Sequence, residues 1–244
     1  GLDISFLNKF RLEGTYSKSV TTDQFLSVPL IPFVSDGFNR QWQNSGTIES
    51  NTLELSLSAN WINTKDFKWT TNAVFAQSKQ MIAELPIAPY QSGPDGLYFI
   101  KEGETYGSIY GFDWVRTLDQ MTNQLPSGAS IADYEVNNEG YVVPAGSQGL
   151  PTEQGIRLEN ADGSDAFVKI GNGLPNFTLG LSNTFNYKGA FMYVLIDWKN
   201  GGDVYNRKSQ WLTRDLRNGI MDQSNVADGS KKAYDYYSKF YDVN

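Results

Sequence analysis

The side chains that most often carry catalysis are missing from this chain, because its 244 residues include neither histidine nor cysteine. A histidine base and a cysteine nucleophile are therefore excluded. Three pairs of acids lie close in sequence and could be considered for acid–base chemistry: Asp133/Glu135, Glu102/Glu104 and Asp162/Asp165. A glycosidase needs a defined carboxylate separation across a cleft, which closeness in sequence does not supply. We interpret these acids as solvated loop residues and predict that the chain is not an enzyme.

Metal binding is a second chemistry to consider, at residues 160–165. Asn160, Asp162 and Ser164 place oxygen atoms at alternate positions, as a calcium loop would. The stretch lacks the distal bidentate glutamate of the helical calcium motif, and an Asx-type turn explains the same residues. We predict no metal site and no cofactor.

Aromatic side chains in the connecting segments are the remaining candidates for a binding site. Trp42, Tyr90, Tyr98 and Trp114 could stack on sugar rings or cover a hydrophobic ligand. The alternative is that these residues pack loops against each other. They are the predicted ligand-binding residues of the chain.

Composition and charge narrow the class of protein. Aromatic residues make up 14% of the chain and glycine occurs 23 times, which is typical of an all-β protein rich in turns. The net charge of -7 would repel a phosphate backbone, so nucleic acid is not an expected partner. No stretch approaches the ~20 consecutive apolar residues of a membrane-spanning helix.

Four segments have the period-two alternation of β-strands. In residues 52–61, Leu53, Leu55 and Leu57 face one way, and residues 67–75 return after a short turn at 63–66. A second hairpin joins residues 177–187 to 190–198 through Lys188 and Gly189, with Asn183 interrupting the apolar row. Weaker strand candidates are residues 10–20 and 104–114.

The connections between these strands are very unequal. The turns at 63–66 and 188–189 are short, whereas residues 21–50 and 77–176 are long, polar and rich in glycine, proline and asparagine. By strand parity the short turns fall on one side and the long segments on the other. Outer-membrane barrels combine such strands with short periplasmic turns and long extracellular loops. A soluble β-sandwich with long loops explains the alternation equally well.

Short sequence signatures occur across most of the chain. They include the Gly-Leu-Asp start, an Asn-Ser-Gly-Thr-Ile segment, Asp-Phe-Lys-Trp, and a final Gly-Asn-Gly-Leu-Pro to Gly-Gly-Asp-Val-Tyr-Asn run. The signatures lie at residues 1–7, 12–18, 43–51, 66–72, 102–112, 170–177 and 197–206. In this order they resemble the SusC/RagA family of TonB-dependent transporters of Bacteroidetes. Where the family carries an acidic calcium-like stretch, residues 133–140 do not preserve it.

The resemblance implies a fold and a function for the whole chain. We expect residues 1–244 to form part of an antiparallel transmembrane β-barrel with long extracellular loops, from a large plugged barrel of about 22 strands. The chain starts with glycine and has no signal peptide, so we expect a piece that lacks the family's plug and last strands.

The expected function is uptake of an oligosaccharide or peptide nutrient across the cell outer membrane. The implied partners are a SusD-like surface lipoprotein, the TonB energy-coupling protein acting through the missing N-terminal part, and outer-membrane lipid. Two alternatives stay open: a soluble β-sandwich that binds carbohydrate, and a fragment whose unpaired strand edges drive association.

Overall fold

The structure, a computed structural model, describes residues 1–233 and 235–239. It is mostly antiparallel strand, with a few short helices, and forms two compact units. Unit 1 comprises residues 1–110 and 171–203, and unit 2 comprises residues 111–170 and 204–244. No helix among the described residues is long and apolar enough to cross a membrane.

The strands vary in length from 3 to 18 residues. In chain order and within the described residues they are β1 (Leu2–Phe6), β2 (Phe10–Thr21), β3 (Phe25–Pro29), β4 (Arg40–Asn44), β5 (Thr47–Asn63), β6 (Phe67–Glu84), β7 (Tyr90–Ser92), β8 (Tyr98–Ile100), β9 (Ser108–Phe112), β10 (Tyr134–Val136), β11 (Val142–Pro144), β12 (Phe167–Asn172), β13 (Pro175–Tyr187) and β14 (Ala190–Gly201). The α-helices are α1 (Leu118–Thr122), α2 (Arg207–Arg214) and α3 (Tyr236–Lys239).

The dominant element is a six-stranded antiparallel sheet in the order β1–β2–β5–β6–β13–β14. All four segments with clear alternation lie in it, and each forms the strand that its pattern predicts. The weaker candidate at residues 10–20 is confirmed as β2. The alternation fixes the register of strand pairing, because a slip of one residue would turn every apolar side chain of a strand to the other face.

Two expectations about the connections are corrected. Strand β6 continues to Glu84, so the first part of the predicted loop 77–176 is strand. Of the candidate strand 104–114, only residues 108–112 form a strand, β9, while Thr105 and Trp114 form isolated bridges. The period-two alternation is weak both at the end of β6 and in residues 104–114. The ends of these strands depend on backbone pairing with residues distant in sequence, which a local pattern does not reveal.

The three shortest connections of the large sheet lie at one of its ends. They join β1 to β2, β5 to β6 and β13 to β14, whereas β2 to β5 and β6 to β13 are joined by long segments at the other end. Within the segment from β2 to β5, β3 and β4 form a separate hairpin. The parity predicted from the sequence is confirmed.

Each unit has its own small core. In unit 1, Leu26 and Val28 of β3 pack with Ile82, Leu85, Tyr90 and Ile100. In unit 2, the core contains Val115, Met121 and Val142. Most of these core residues belong to the long connections, and Ile82 joins the unit 1 core to the end of β6.

The β13–β14 turn has a backbone that favours particular residues. Lys188 and Gly189 both have positive φ, at 45° and 92°, as a two-residue type I′ turn requires. Glycine adopts this conformation freely, whereas lysine does not.

We expect Lys188→Asn to stabilise the hairpin because asparagine tolerates positive φ, and Asn-Gly is the preferred type I′ pair. The free energy of unfolding of the sheet, measured by denaturant titration in detergent, should rise by about 0.5–1 kcal/mol relative to Lys188→Gln. The Gln variant removes the same charge without relieving the backbone. Equal stability of the two variants would contradict this interpretation of the turn.

Candidate functional site

One face of the six-stranded sheet is apolar across its full width. In the part of the sheet that β1 reaches, the strand register places one residue from every strand in each cross-strand row. One central row consists of Ile4, Leu12, Leu57, Ala73, Leu181 and Ile196. The next consists of Leu2, Gly14, Leu55, Phe75, Leu179 and Trp198.

This apolar face is open. Ile196 is 54% exposed, Trp198 51% and Ile4 42%. A β-sandwich would bury such side chains against a second sheet. The exposed face therefore argues against the sandwich alternative and fits a wall whose outer surface contacts lipid.

Aromatic rings form a band at the end of this face that carries the short turns. Consecutive ring centroids lie 5.1 to 5.7 Å apart through Phe6, Phe10, Trp61, Trp69 and Phe185. Aromatic girdles of this kind flank the apolar band of outer-membrane barrels at both interfaces. The band is the clearest interfacial feature of the sheet.

A second aromatic group lies toward the other end, where Phe177 contacts Phe75 at 5.6 Å and Trp198 at 5.2 Å. Along β13, the two groups are separated by the distance from Phe177 to Phe185, which is ~26 Å of strand at ~3.3 Å per residue. A strand tilt of ~40° reduces this to ~20 Å of height, close to the ~25 Å apolar band of such barrels.

Asn183, the polar interruption of the apolar row, has a specific set of partners. Its Oδ1 accepts a hydrogen bond from the Trp69 indole N–H at 3.0 Å and another from the Thr71 hydroxyl at 2.6 Å. Thr71 Oγ1 in turn accepts from the Trp61 indole N–H at 2.9 Å. Asn183 thus orients both tryptophans of the aromatic band. The sequence shows that Asn183 interrupts the apolar row, but it does not reveal the hydrogen-bond partners of Asn183.

The opposite face of the sheet is mainly polar, although the edge strand β14 adds Phe191, Tyr193 and Leu195 to it. It contains a shallow hollow of about 400 Å³. Glu13, Glu54 and Asp197 lie around it, and Ala76, Thr178 and Gly180 form its floor. The hollow exists because small residues occupy the middle strands while carboxylates occupy the flanking ones. In a barrel this face would be the inner one.

The last family-like run is explained by its local geometry. Asn172 N–H donates to Asp203 Oδ2 at 2.7 Å, and Asp203 N–H donates to the Asn172 carbonyl at 2.7 Å. A Cβ on Gly171 would lie 2.9 Å from Asp203 Oδ2, so a larger residue there would displace the Asp203 side chain. These hydrogen bonds join the two chain segments at the end of the β13–β14 hairpin that is opposite its turn. The last family-like signature therefore stabilises the fold.

Trp42 is the predicted aromatic residue that the structure leaves most open. It lies on β4, is 61% exposed, and stacks on Phe25 of β3 with centroids 5.0 Å apart. The hairpin beneath it is held by Leu26 and Val28 in the core of unit 1. Trp42 is therefore an exposed ring on an anchored hairpin.

The other three predicted aromatics occupy different surroundings, and the four do not form one site. Tyr90 is only 6% exposed and packs in the core of unit 1. Tyr98, half-buried, packs against Gly93, where a Cβ would lie 2.5 Å from its ring. In unit 2, Trp114 is half-buried with the Arg157 guanidinium 5.4 Å from its ring centroid.

Four of the sequence-paired acids accept hydrogen bonds from nearby backbone or side-chain groups. Glu102 Oε2 accepts from Leu85 N–H, and Glu104 Oε1 accepts from the Tyr110 hydroxyl at 2.8 Å. Burial, together with that hydrogen bond and the charge of Glu104, raises the pKa of Tyr110 to about 12. Asp133 accepts from Ser130 N–H and Glu135 from Gly146 N–H.

The remaining pair lies in the predicted Asx-type turn. Asp162 Oδ1 accepts from the backbone and hydroxyl of Ser164, and these hydrogen bonds lower the pKa of Asp162. Asp165 forms an ion pair with Arg157. Among the residues that the structure describes, no cluster of three potential metal-ligating side chains is present.

The Asn183 interactions predict a coupled effect of substitution. We expect Asn183→Leu to destabilise the sheet by about 1–3 kcal/mol, because it leaves the donors of Trp69 and Thr71 without their acceptor. Thr71→Val removes one of those donors. The double variant should therefore cost less than the sum of the single variants, as measured by denaturant titration in detergent. Strict additivity would exclude the proposed coupling.

No protein-family profile matches the chain, but it is similar to several TonB-dependent receptors. It is 29% identical over 84% of its length to TonB-dependent receptor P39 of Formosa agariphila, and 26% identical over 93% to receptor P3 of the same organism. It is 33% identical over 43% of its length to TonB-dependent receptor SusC of Bacteroides thetaiotaomicron. The chain spans 22% of the length of each of the two Formosa receptors.

Solved structures share the fold. A structure of the RagAB peptide transporter superposes with a TM-score of 0.58, covering 85% of this chain and 21% of that one at 19% identity. The RagAB peptide importer in its open-open state gives a TM-score of 0.53. The predicted fold class, an antiparallel β-barrel wall with long loops, is thereby confirmed. The chain is thus similar in sequence to TonB-dependent receptors, SusC among them, as its ordered signatures predict.

Proposed function

We propose that residues 1–244 act as part of a barrel domain in a longer outer-membrane receptor that imports a nutrient. The observation that carries this proposal is the exposed apolar face that crosses six strands between two aromatic groups. The polar opposite face suits the inside of a barrel. The names of the relatives, all TonB-dependent receptors, support the same function and give no support to an enzyme.

The transported nutrient is an oligosaccharide or a peptide. The structural relative is named as a peptide transporter, which supports the peptide. The anchored Trp42 ring supports either class, since an exposed aromatic face stacks on sugar rings and on apolar peptide side chains. We propose Trp42 as the first of the four aromatic residues to contact the ligand. The half-buried Tyr98 and Trp114 are the next candidates for ligand contact. Tyr90 is buried and packs against the β3 side chains of the hairpin.

The proposed partners are those of a SusC-like receptor. A SusD-like surface lipoprotein would cover the long loops, and TonB would supply energy through another part of the longer protein. The tip of the β3–β4 hairpin supports a lipoprotein contact because Phe33 is 95% exposed and Val34 75%. The tip is held in shape by backbone hydrogen bonds, among them Val34 N–H to the Ile31 carbonyl. An ordered turn with exposed apolar side chains is suited to protein contact.

Neighbouring residues on β14 test the membrane wall directly. Leu195 and Ile196 are 60% and 54% exposed but point to opposite faces. If Ile196 meets the lipid core, Ile196→Arg should cost about 2–4 kcal/mol of folding free energy, and Leu195→Arg much less. The measurement is denaturant titration of the protein reconstituted in phosphatidylcholine vesicles. Equal costs for the two variants would overturn the lipid-facing assignment.

A binding experiment separates the two nutrient classes. Fluorescently labelled oligosaccharides and labelled peptides are titrated against the longer receptor in detergent, with Trp42→Ala and Trp211→Ala variants. Trp211 is a matched control because it is 48% exposed but lies on α2, where Arg207 covers its ring.

We expect Trp42→Ala to weaken binding of one class by about 5- to 100-fold, corresponding to ~1–3 kcal/mol for a lost aromatic contact. Trp211→Ala should leave binding unchanged. If both variants bind both classes like the parent protein, Trp42 is not a ligand contact.

A further inference from the structure

Unit 2 contains a buried carboxylate that the proposed function does not use. Glu153 is 0% exposed. Its Oε1 accepts from Asn137 Nδ2 at 2.6 Å, and its Oε2 accepts from Gly149 N–H at 2.7 Å. Its nearest cation is Lys232, whose Nζ lies 3.4 Å from Oε1. Burying a carboxylate is costly unless it is paired and hydrogen-bonded, so these contacts hold the loop of residues 137–153 in one conformation.

Lys232 reaches this loop from a segment about 80 residues further along the chain. Its Nζ forms a second ion pair with Glu139 Oε1 at 2.7 Å. It also lies 4.0 Å from the centroid of the Tyr236 ring and 5.5 Å from that of Tyr237. The ammonium group is thus enclosed by two carboxylates and two aromatic faces, which are its preferred surroundings when it is partly desolvated.

The two tyrosines attach to the same loop by their hydroxyl groups. Tyr236, which is 1% exposed, donates to Glu139 Oε2 at 3.2 Å and accepts from Asn137 Nδ2 at 3.0 Å. Tyr237 donates to Glu139 Oε1 at 3.0 Å. Every one of these links ends on Asn137, Glu139 or Glu153, so three side chains of the later segment converge on one part of the loop.

The titration behaviour of the cluster agrees with this geometry. Burial alone would lower the pKa of Lys232, but the hydrogen bond and charge of Glu139, with Tyr237 and Glu153, raise it above its ordinary value. Burial and the charges of Glu139 and Glu153 raise the pKa of Tyr236. The lysine therefore stays charged and the tyrosine neutral across the physiological range.

The segment that precedes Lys232 makes few buried contacts of this kind. Most residues from 214 to 231 are exposed, and the ion pair of Lys231 is with Asp228, a side chain that is 97% exposed. The Lys232 backbone N–H donates to Gln223 Oε1 within the same stretch. A segment whose buried contacts are concentrated at one end opens locally, without unfolding the rest of its unit.

We propose that Lys232, Tyr236 and Tyr237 form a releasable clasp that closes the loop of residues 137–153. In the closed state, the single positive charge of Lys232 is shared between Glu139 and Glu153, and the Tyr236 hydroxyl accepts from Asn137. When it opens, the loop and the clasp segment lose their order together, because each supplies the other's buried partners. This conformational device does not depend on what the longer protein transports.

Amide hydrogen exchange tests the clasp, using the whole chain in detergent micelles and two neighbouring lysines as a matched pair. Lys232→Gln removes the enclosed charge, and Lys231→Gln removes an exposed one that contributes little. We expect Lys232→Gln to accelerate exchange about tenfold or more in both the 137–150 and 235–239 stretches. Lys231→Gln should stay within about twofold of the parent chain, and the six-stranded sheet should be unchanged in both.

Two results would overturn the proposal. One is an equal effect of the two lysine substitutions. The other is faster exchange at 235–239 with unchanged protection of the loop, which would show that the two segments open independently.

If Lys232→Gln removes protection throughout unit 2, the part-exposed Glu139 provides a milder variant. Glu139→Gln must then accelerate the same two stretches more than Lys231→Gln does, and equal exchange in these two variants would overturn the proposal.

Discussion

The constraint on which this structure depends is that every backbone amide of a strand needs a partner while its side chains alternate between two faces. Antiparallel pairing of six strands meets the first requirement, and the same register aligns apolar residues with apolar residues in the central rows of one face. In a bilayer, where water cannot satisfy backbone groups, closed pairing of strands is one of only two ways to cross. The segregated faces and the continuous pairing are thus consequences of one arrangement.

Polar side chains on the apolar face also need hydrogen-bond partners. Asn183 lies one row inside the aromatic band and satisfies two donors from the neighbouring strand. Its carboxamide is tolerated among apolar residues because those two donors satisfy its oxygen. On the other face, Glu13, Glu54 and Asp197 lie open around small residues, as carboxylates do where water can reach them.

The sequence predicted the strands that carry strict alternation and the side of the sheet on which the long segments emerge. It did not predict the short strands β7, β8, β10 and β11, and it located β9 only within a longer candidate, because three to five residues are too few for a period-two pattern to be distinctive. It also missed the end of β6, where alternation had already weakened at Ala73 and Val74. The family-like signatures carried other information, since Gly171 and Asp203 of the last one meet in the structure although they lie 32 positions apart in sequence.

The aromatic candidates show the limit of composition as a guide to a binding site. Trp42 and Tyr90 look alike in sequence, each in a polar connection, yet one is exposed on a hairpin and the other is buried beneath it. The difference depends on which face of a short strand meets a core assembled from residues 26 to 100. Likewise, the contacts of Glu153 with residues 137 and 232 join positions that no local pattern connects.

The unequal connections of the large sheet also set the order in which it can assemble. The hairpins β1–β2, β5–β6 and β13–β14 close loops of two or three residues, so their pairing needs little loss of chain entropy. Pairing of β6 with β13 must instead bring together strands separated by residues 85–174. Because contacts between distant residues form slowly, the hairpins form first. Pairing of β6 with β13 requires the chain between them to fold back on itself, so it is the slow step in forming the six-stranded sheet.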